Sequence, residues 1–230
     1  LGLMKGLAKL GHEITILAMN TRKHHITPFE LPEELTSQII FHLVEVPAPI
    51  QLVGLLKNLA LSKLPYNAER FIDSNYRKAL VNLLQHTNYD VIQLEGLYVT
   101  PYIPAIRQFS LTPIAYRSHN IEHEIWERTL KNSTIPKKLY LRILTKRMRN
   151  FEQSALNTYD LLIPITERDG RMLNSLGNTK PSLVIPAGID NFAPLQKYPT
   201  EPRNNLFFIG ALDWAPNQEG LLWFLDHCWK

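Results

Sequence analysis

Apolar residues recur along this chain in two rhythms. In "LGLMKGLAKL", Leu3, Leu7 and Leu10 share one helical face, and Gly11 fits a C-terminal cap. "HEITILAM" then runs apolar almost without a break, as a buried strand does. The alternation continues. Strands are predicted at "QIIFHLVEV", "YDVIQLE", "TPIAYRSHN", "YDLLIPIT" and "PSLVIPAG". Helices are predicted over 50–63, 66–86, 98–109, 121–131 and 136–157, with a short one in "ERDGRMLNSLG" ended by Gly177. The 66–86 helix turns Phe71, Leu80 and Leu84 inward, and Pro101 and Pro104 suit only a first turn or a loop. Strands alternating with helices predict an α/β fold, a parallel sheet covered by helices on both faces. Because a helix opens the alternation, a strand and turn ahead of it are expected to be missing from this sequence.

Residues 187–205, "AGIDNFAPLQKYPTEPRNN", break the rhythm with prolines and polar residues. The expected organisation is therefore a first domain over 1–188, a linker over 189–204, and the start of a second α/β domain over 205–230. In that last piece "LFFIG" reads as a buried strand. Pro216 suits the first turn of a following helix, with Leu221, Leu222, Phe224 and Leu225 toward a core.

Of the 230 residues, 45% are apolar and 20% charged, enough to bury a core. No apolar run approaches the ~20 residues of a membrane span, and the opening stretch has helix periodicity rather than a signal-peptide pattern. One cysteine, Cys228, excludes an internal disulfide framework and a cysteine-rich metal site. A cytoplasmic location is expected. The formal charge of +4 is unevenly spread. Residues 131–150 hold seven basic residues and no acid, while the remaining 18 basic residues face 21 acidic ones. That, and the lack of any recognised motif, argues against a nucleic-acid partner.

His119-Asn120-Ile121-Glu122-His123 matches the H-x-x-E-H pattern of inverted zinc proteases. Shared zinc ligation needs both histidines on one helix. Here His119 ends a strand and His123 enters the next helix, so no metal is expected. Asn120 reads as that helix's cap, and Glu122, His123 and Glu124 as a solvated first turn. Ligands of open parallel sheets bind beyond the carboxyl ends of the strands. Polar residues stand at four such ends: Glu95, Arg117 to Asn120, Thr166 and Gly210.

The order and spacing of "NYDVIQLEGLY", "YRSHNIEHEIWERT", "FEQSALNTYDLLIPITERDGRML", "VIPAGID" and "FIGALDWAPNQEGLLWF" resemble the retaining family 4 glycosyltransferases of the GT-B fold, over nearly the whole chain. The resemblance implies a Rossmann-like acceptor domain followed by the beginning of a sugar-nucleotide domain. It implies sugar transfer from a nucleotide-sugar donor to an acceptor hydroxyl with retention, without cofactor or required metal, in glycan, polysaccharide or glycolipid synthesis. His119 matches the histidine that contacts the transferring sugar. Glu95, Arg117, Asn120 and Thr166 would line the acceptor and sugar site, and Gly210 would admit the donor diphosphate. Ala187 stands where that family usually has Asn, and Ala211 where its donor loop usually has Arg. The paired-glutamate motif of the donor domain is absent, so the parent is expected to be the enzyme and residues 1–230 alone inactive. A non-catalytic sugar- or nucleotide-binding module, or a sugar-nucleotide epimerase, are the alternatives on the same scaffold.

At 100° per residue, Lys138, Arg142, Lys146 and Arg149 share one face of the 136–157 helix, apart from Leu141, Leu144, Met148, Phe151 and Ala155. A solvated outer face and docking on an anionic membrane, which would suit a lipid-linked acceptor, both fit that pattern.

Overall fold

The structure, a computed structural model, describes residues 2–23, 25–27, 30–188, 205–212 and 215–229. It divides into two units, Leu1–Asp190 and Asn191–Lys230. In the first, α1 (Gly2–Lys9) leads into β1 (Ile14–Asn20). After the short α2 (Glu33–Thr36), β2 (Ile39–Glu45) pairs parallel with β1, from Ile14 opposite Ile39 to Asn20 opposite Glu45. The chain returns through α3 (Leu52–Leu61), α4 (Tyr66–Glu69) and α5 (Ser74–His86) to β3 (Ile92–Glu95). A 3₁₀ turn (Leu97–Tyr102) and α6 (Ile103–Phe109) carry it to β4 (Ile114–Ser118). Next come α7 (Glu122–Lys131), α8 (Lys137–Ala155), β5 (Leu161–Pro164) and α9 (Glu167–Ser175). Each crossover is long enough to return the chain to the same edge, so every strand pair is parallel. The fold is α/β, Rossmann-like, with parallel strands flanked by helices.

The strands do not form one sheet. β1 and β2 make one, and β3, β4 and β5 make the other in that order. Between them lies an apolar cavity of about 140 Å³, lined by Thr15 and Leu17 on one side and Ile92 and Leu94 on the other. Tyr76 and Tyr102 border it, their rings 4.8 Å apart. The Tyr76 hydroxyl donates to the Leu17 carbonyl at 3.0 Å, so a helix side chain serves one β1 edge group.

Two predicted helices are divided, each for a local reason. The 66–86 helix stops after Glu69 and restarts because Asp73 caps α5: its Oδ1 accepts from the Asn75 and Tyr76 amides at 2.8 and 3.0 Å. Such a cap contributes ~1 kcal/mol. The 98–109 helix begins as the 3₁₀ turn containing Pro101, and Pro104 sits at the start of α6, where no amide is needed. "PSLVIPAG" runs beside β5, with Leu183 and Ile185 amides donating to the Leu162 and Pro164 carbonyls at 2.9 and 3.0 Å.

The core gathers under α8, whose Leu141, Leu144, Met148, Phe151 and Ala155 are all buried, as their spacing predicts. A fully buried Leu- or Met-sized side chain contributes about 2 kcal/mol. The same helix face also buries Glu152.

In the second unit α10 (Ala215–His227) is the helix expected there, with Pro216 in its first turn. The expected strand "LFFIG" is not formed: residues 205–212 carry no ladder and Phe207 is exposed. A strand's amides and carbonyls need a neighbouring strand, and the described residues of this unit contain none. Leu222 and Leu225 are exposed. The expected linker, 189–204, lies outside the described residues.

Candidate active site

The parallel register brings the ends of β3, β4 and β5 to one level: Glu95 is opposite Arg117, and Ser118 opposite Pro164. Three of the expected rim residues meet there. Glu95 Oε2 accepts from His119 Nε2 at 2.6 Å and from Arg117 Nη1 at 3.4 Å. Gln93, two residues back and therefore on the same face of β3, donates its side-chain amide to Glu95 Oε1. Gly96 turns the chain away at φ +92°, a conformation that favours glycine, and a Cβ there would lie 3.9 Å from His119 Nδ1.

Partial burial pushes the Glu95 carboxyl up, but hydrogen bonds from His119 and Gln93 and the charge of Arg117 outweigh it. The carboxyl is held below its ordinary range. Glu95 is therefore a carboxylate at neutral pH, and the ring proton of His119 that faces it sits on Nε2. The other nitrogen, Nδ1, makes no hydrogen bond among the described residues. The His119 side chain is 42% exposed, so the ring is reachable. Arg117 is largely covered, and its buried Nε has no hydrogen-bond partner among the described residues.

Asn120 does not cap α7, as the sequence suggests it would. Ile121 holds the cap position and makes no side-chain bond. The carboxylate of Glu152, 1% exposed, does the work from α8. Its Oε1 accepts from the Glu122 amide at 2.9 Å, and its Oε2 accepts from the His123 amide at 3.4 Å and from His123 Nδ1. The expected solvated first turn is thus overturned: α7 starts against α8, and His123 is buried at 4% exposure. Glu122 is also covered, and accepts from the Tyr98 hydroxyl at 2.9 Å. Burial pushes its carboxyl above the ordinary range. Glu124 binds Arg168 of α9 at 2.7 and 2.5 Å.

The two histidines of the H-x-x-E-H match turn to different carboxylates, His119 to Glu95 and His123 to Glu152. Among the described residues no group of three or more His, Cys, Asp or Glu is placed to hold a metal. Thr166 caps α9, its Oγ1 accepting from the Asp169 amide at 3.0 Å; its hydroxyl proton remains to be donated. Gly210 lies in the second unit, where a Cβ would meet the Phe208 ring at 2.6 Å.

Sequence reasoning missed Gln93, Gly96, Tyr98 and Glu152. Glu152 carried a signal. It shares a helical face with Met148, Phe151 and Ala155, and an acid at such a position must find a partner.

Residues 1–191 match the family model described as Glycosyltransferase Family 4. The chain belongs to glycosyltransferase family 4. No curated protein matches it. The polar rim at the ends of β3, β4 and β5 is therefore the rim of a glycosyltransferase domain, whose substrates are in general a sugar donor and an acceptor. In this family 4 domain the Glu95–His119 pair sets a carboxylate against a reachable imidazole at the ends of two paired strands.

Proposed function

We propose that the parent protein moves a sugar from a nucleotide-sugar donor to an acceptor hydroxyl with retention, in the assembly of a glycan, polysaccharide or glycolipid. His119 holds the transferring sugar. The observation that carries this reading is the 2.6 Å bond between Glu95 and His119 at the carboxyl edge of the sheet. By fixing the proton on Nε2, Glu95 aims Nδ1 outward to a sugar hydroxyl, and a ring so held keeps the anomeric carbon in attack geometry. The acceptor oxygen bonds to that carbon as its bond to the donor phosphate breaks, and the acceptor proton leaves with the diphosphate. Arg117, Asn120 and Thr166 stand at the same strand ends as hydrogen-bonding groups. Gly210 is assigned to close approach of the donor diphosphate. No cofactor or required metal enters this scheme.

The test is turnover of nucleotide sugars by the full-length parent, with the anomeric configuration of the product read by proton NMR. A glycoside of inverted configuration, or a free isomerised sugar, defeats the proposal.

A further inference from the structure

α3 is an apolar helix with its apolar face outward. The buried position within it is Asn58, bound to the Leu64 carbonyl and to Glu69, while Leu52, Val53 and Leu56 are exposed, Val53 by 76%. At 100° per residue these three side chains fall within one 100° arc, opposite Asn58. Water is a poor solvent for such a stripe.

The neighbouring surface gives the stripe a context. Arg147 of α8 donates to the Asn58 and Leu59 carbonyls at 3.2 and 2.9 Å, so α3 lies along the Arg147 side of α8. Moving round α8 from Arg147, the positions in its N-terminal half are Ile143 and Leu139, both exposed, while Asn150 and Ser154 hold the same sector toward the C-terminal end. Beyond them come Lys146, Arg142, Arg149 and Lys138, which are exposed apart from the half-buried Lys138. The order across the surface is thus an apolar helix face, an apolar strip and a basic strip. Residues 50–63 and 131–150 contain no acid, and Lys57 and Lys137 add charge at the margins.

We infer that this face of α3 and α8 docks on the surface of an anionic lipid bilayer. α3 and Leu139 enter the interface, and the basic strip of α8 lies over the headgroups. An amphipathic surface binds a bilayer through buried apolar area together with electrostatic attraction, and this face carries both side by side. Long lysine and arginine stems beside an apolar strip reach back to phosphate while their methylenes stay in the apolar layer. Among the described residues no helix is long and apolar enough to cross a membrane, so the contact is peripheral. The inference does not rest on the transfer reaction, and its test needs no turnover.

The 230-residue chain is floated with vesicles of neutral phosphatidylcholine, or of phosphatidylcholine with 30% phosphatidylglycerol by design. Binding to the anionic vesicles alone is expected, falling with salt as the Debye length shortens from about 10 Å at 0.1 M. Each basic residue near the surface is worth a factor of roughly five. Replacing Lys138, Arg142, Lys146 and Arg149 by Gln should therefore lower partitioning at least ~50-fold. Leu52→Ser with Val53→Ser and Leu56→Ser should abolish the binding that survives in 0.5 M salt, and an environment-sensitive dye on Leu139→Cys should shift to the blue on anionic vesicles only. Circular dichroism checks that each variant is folded. Absence of binding at low salt, equal binding to neutral vesicles, or binding untouched by both sets of substitutions overturns the inference. So does a self-associated chain that the serine variants turn into monomers without any lipid effect, since the face is then an interface between copies.

Discussion

Glu95 Oε2 and His119 Nε2 are 2.6 Å apart, joining the ends of two neighbouring parallel strands. In the full-length parent, His119→Ala should keep its circular dichroism spectrum and lose ~10²-fold or more in kcat, the scale of one preorganised hydrogen bond to the reacting group. Glu95→Gln keeps the shape but removes the charge that fixes the tautomer. It should lose less, about tenfold, because a positioning residue acts through His119. Unchanged kcat in His119→Ala contradicts the site.

The same carboxylate sets a pH dependence. Glu95 is held below its ordinary 4.5 in the fold, so its partners stabilise the protein above that pH and stop doing so as pH falls through the folded value. Asp160, bound to Arg107 at 2.6 Å and to the Ile114 amide at 2.7 Å, acts in the same direction. Its side chain is 44% exposed, so solvent screens much of the effect. Glu122 has the opposite sign. Its raised carboxyl contributes stability that is full below 4.5 and lost as pH rises through the folded value. Urea midpoints should fall on acidification below about pH 4.5, less steeply in Glu95→Gln. Glu122→Gln should reduce the loss on the alkaline side. An acid limb identical in wild type and Glu95→Gln would contradict this assignment.

His123 belongs to stability. Its ring and Glu152 are both buried and face each other. Removing one member of such a pair strands the other as an unsatisfied buried hydrogen-bonding group, at a cost of about 1–3 kcal/mol. Glu152→Ala should also uncap α7, which is bound through the Glu122 amide. Chemical denaturation of His123→Ala and Glu152→Ala should show losses of that size, and the double variant much less than their sum. Additive losses would mean that the two groups do not interact.

Gly96 has φ +92°, and a Cβ there would approach His119. Gly96→Ala should cost about 1–3 kcal/mol in stability, because φ 92° with ψ 168° is a conformation essentially reserved to glycine. In the parent it should also lower kcat if His119 holds the sugar as proposed, because the added methyl sits 3.9 Å from its Nδ1. Wild-type stability in Gly96→Ala would show that the turn relaxes.

Much of this fold was legible because apolar runs between helical stretches have few parallel arrangements to adopt. The apolar face of α8 emerged at its predicted positions. The clustering of Glu95, Arg117 and His119 followed from their places at strand ends. Other features depend on partners far away in sequence. Asn120 is a good cap by residue type, but Glu152, thirty residues on from Glu122, took that role. His123 looked solvated because nothing local says that α8 covers it. "LFFIG" has strand composition, yet composition cannot supply the neighbouring strand that a ladder requires.

The Glu152–His123 contact also bears on how this sequence can drift. A change at either position alone leaves a buried polar group without its partner. A lineage can therefore leave the pair only by altering both, or by first loosening the packing of α7 on α8. Among related chains, positions 123 and 152 should be inherited together, with joint exchanges to apolar residues of similar volume as the permitted route. Position 119, open to solvent and bound at the surface of the sheet, is free of that restriction.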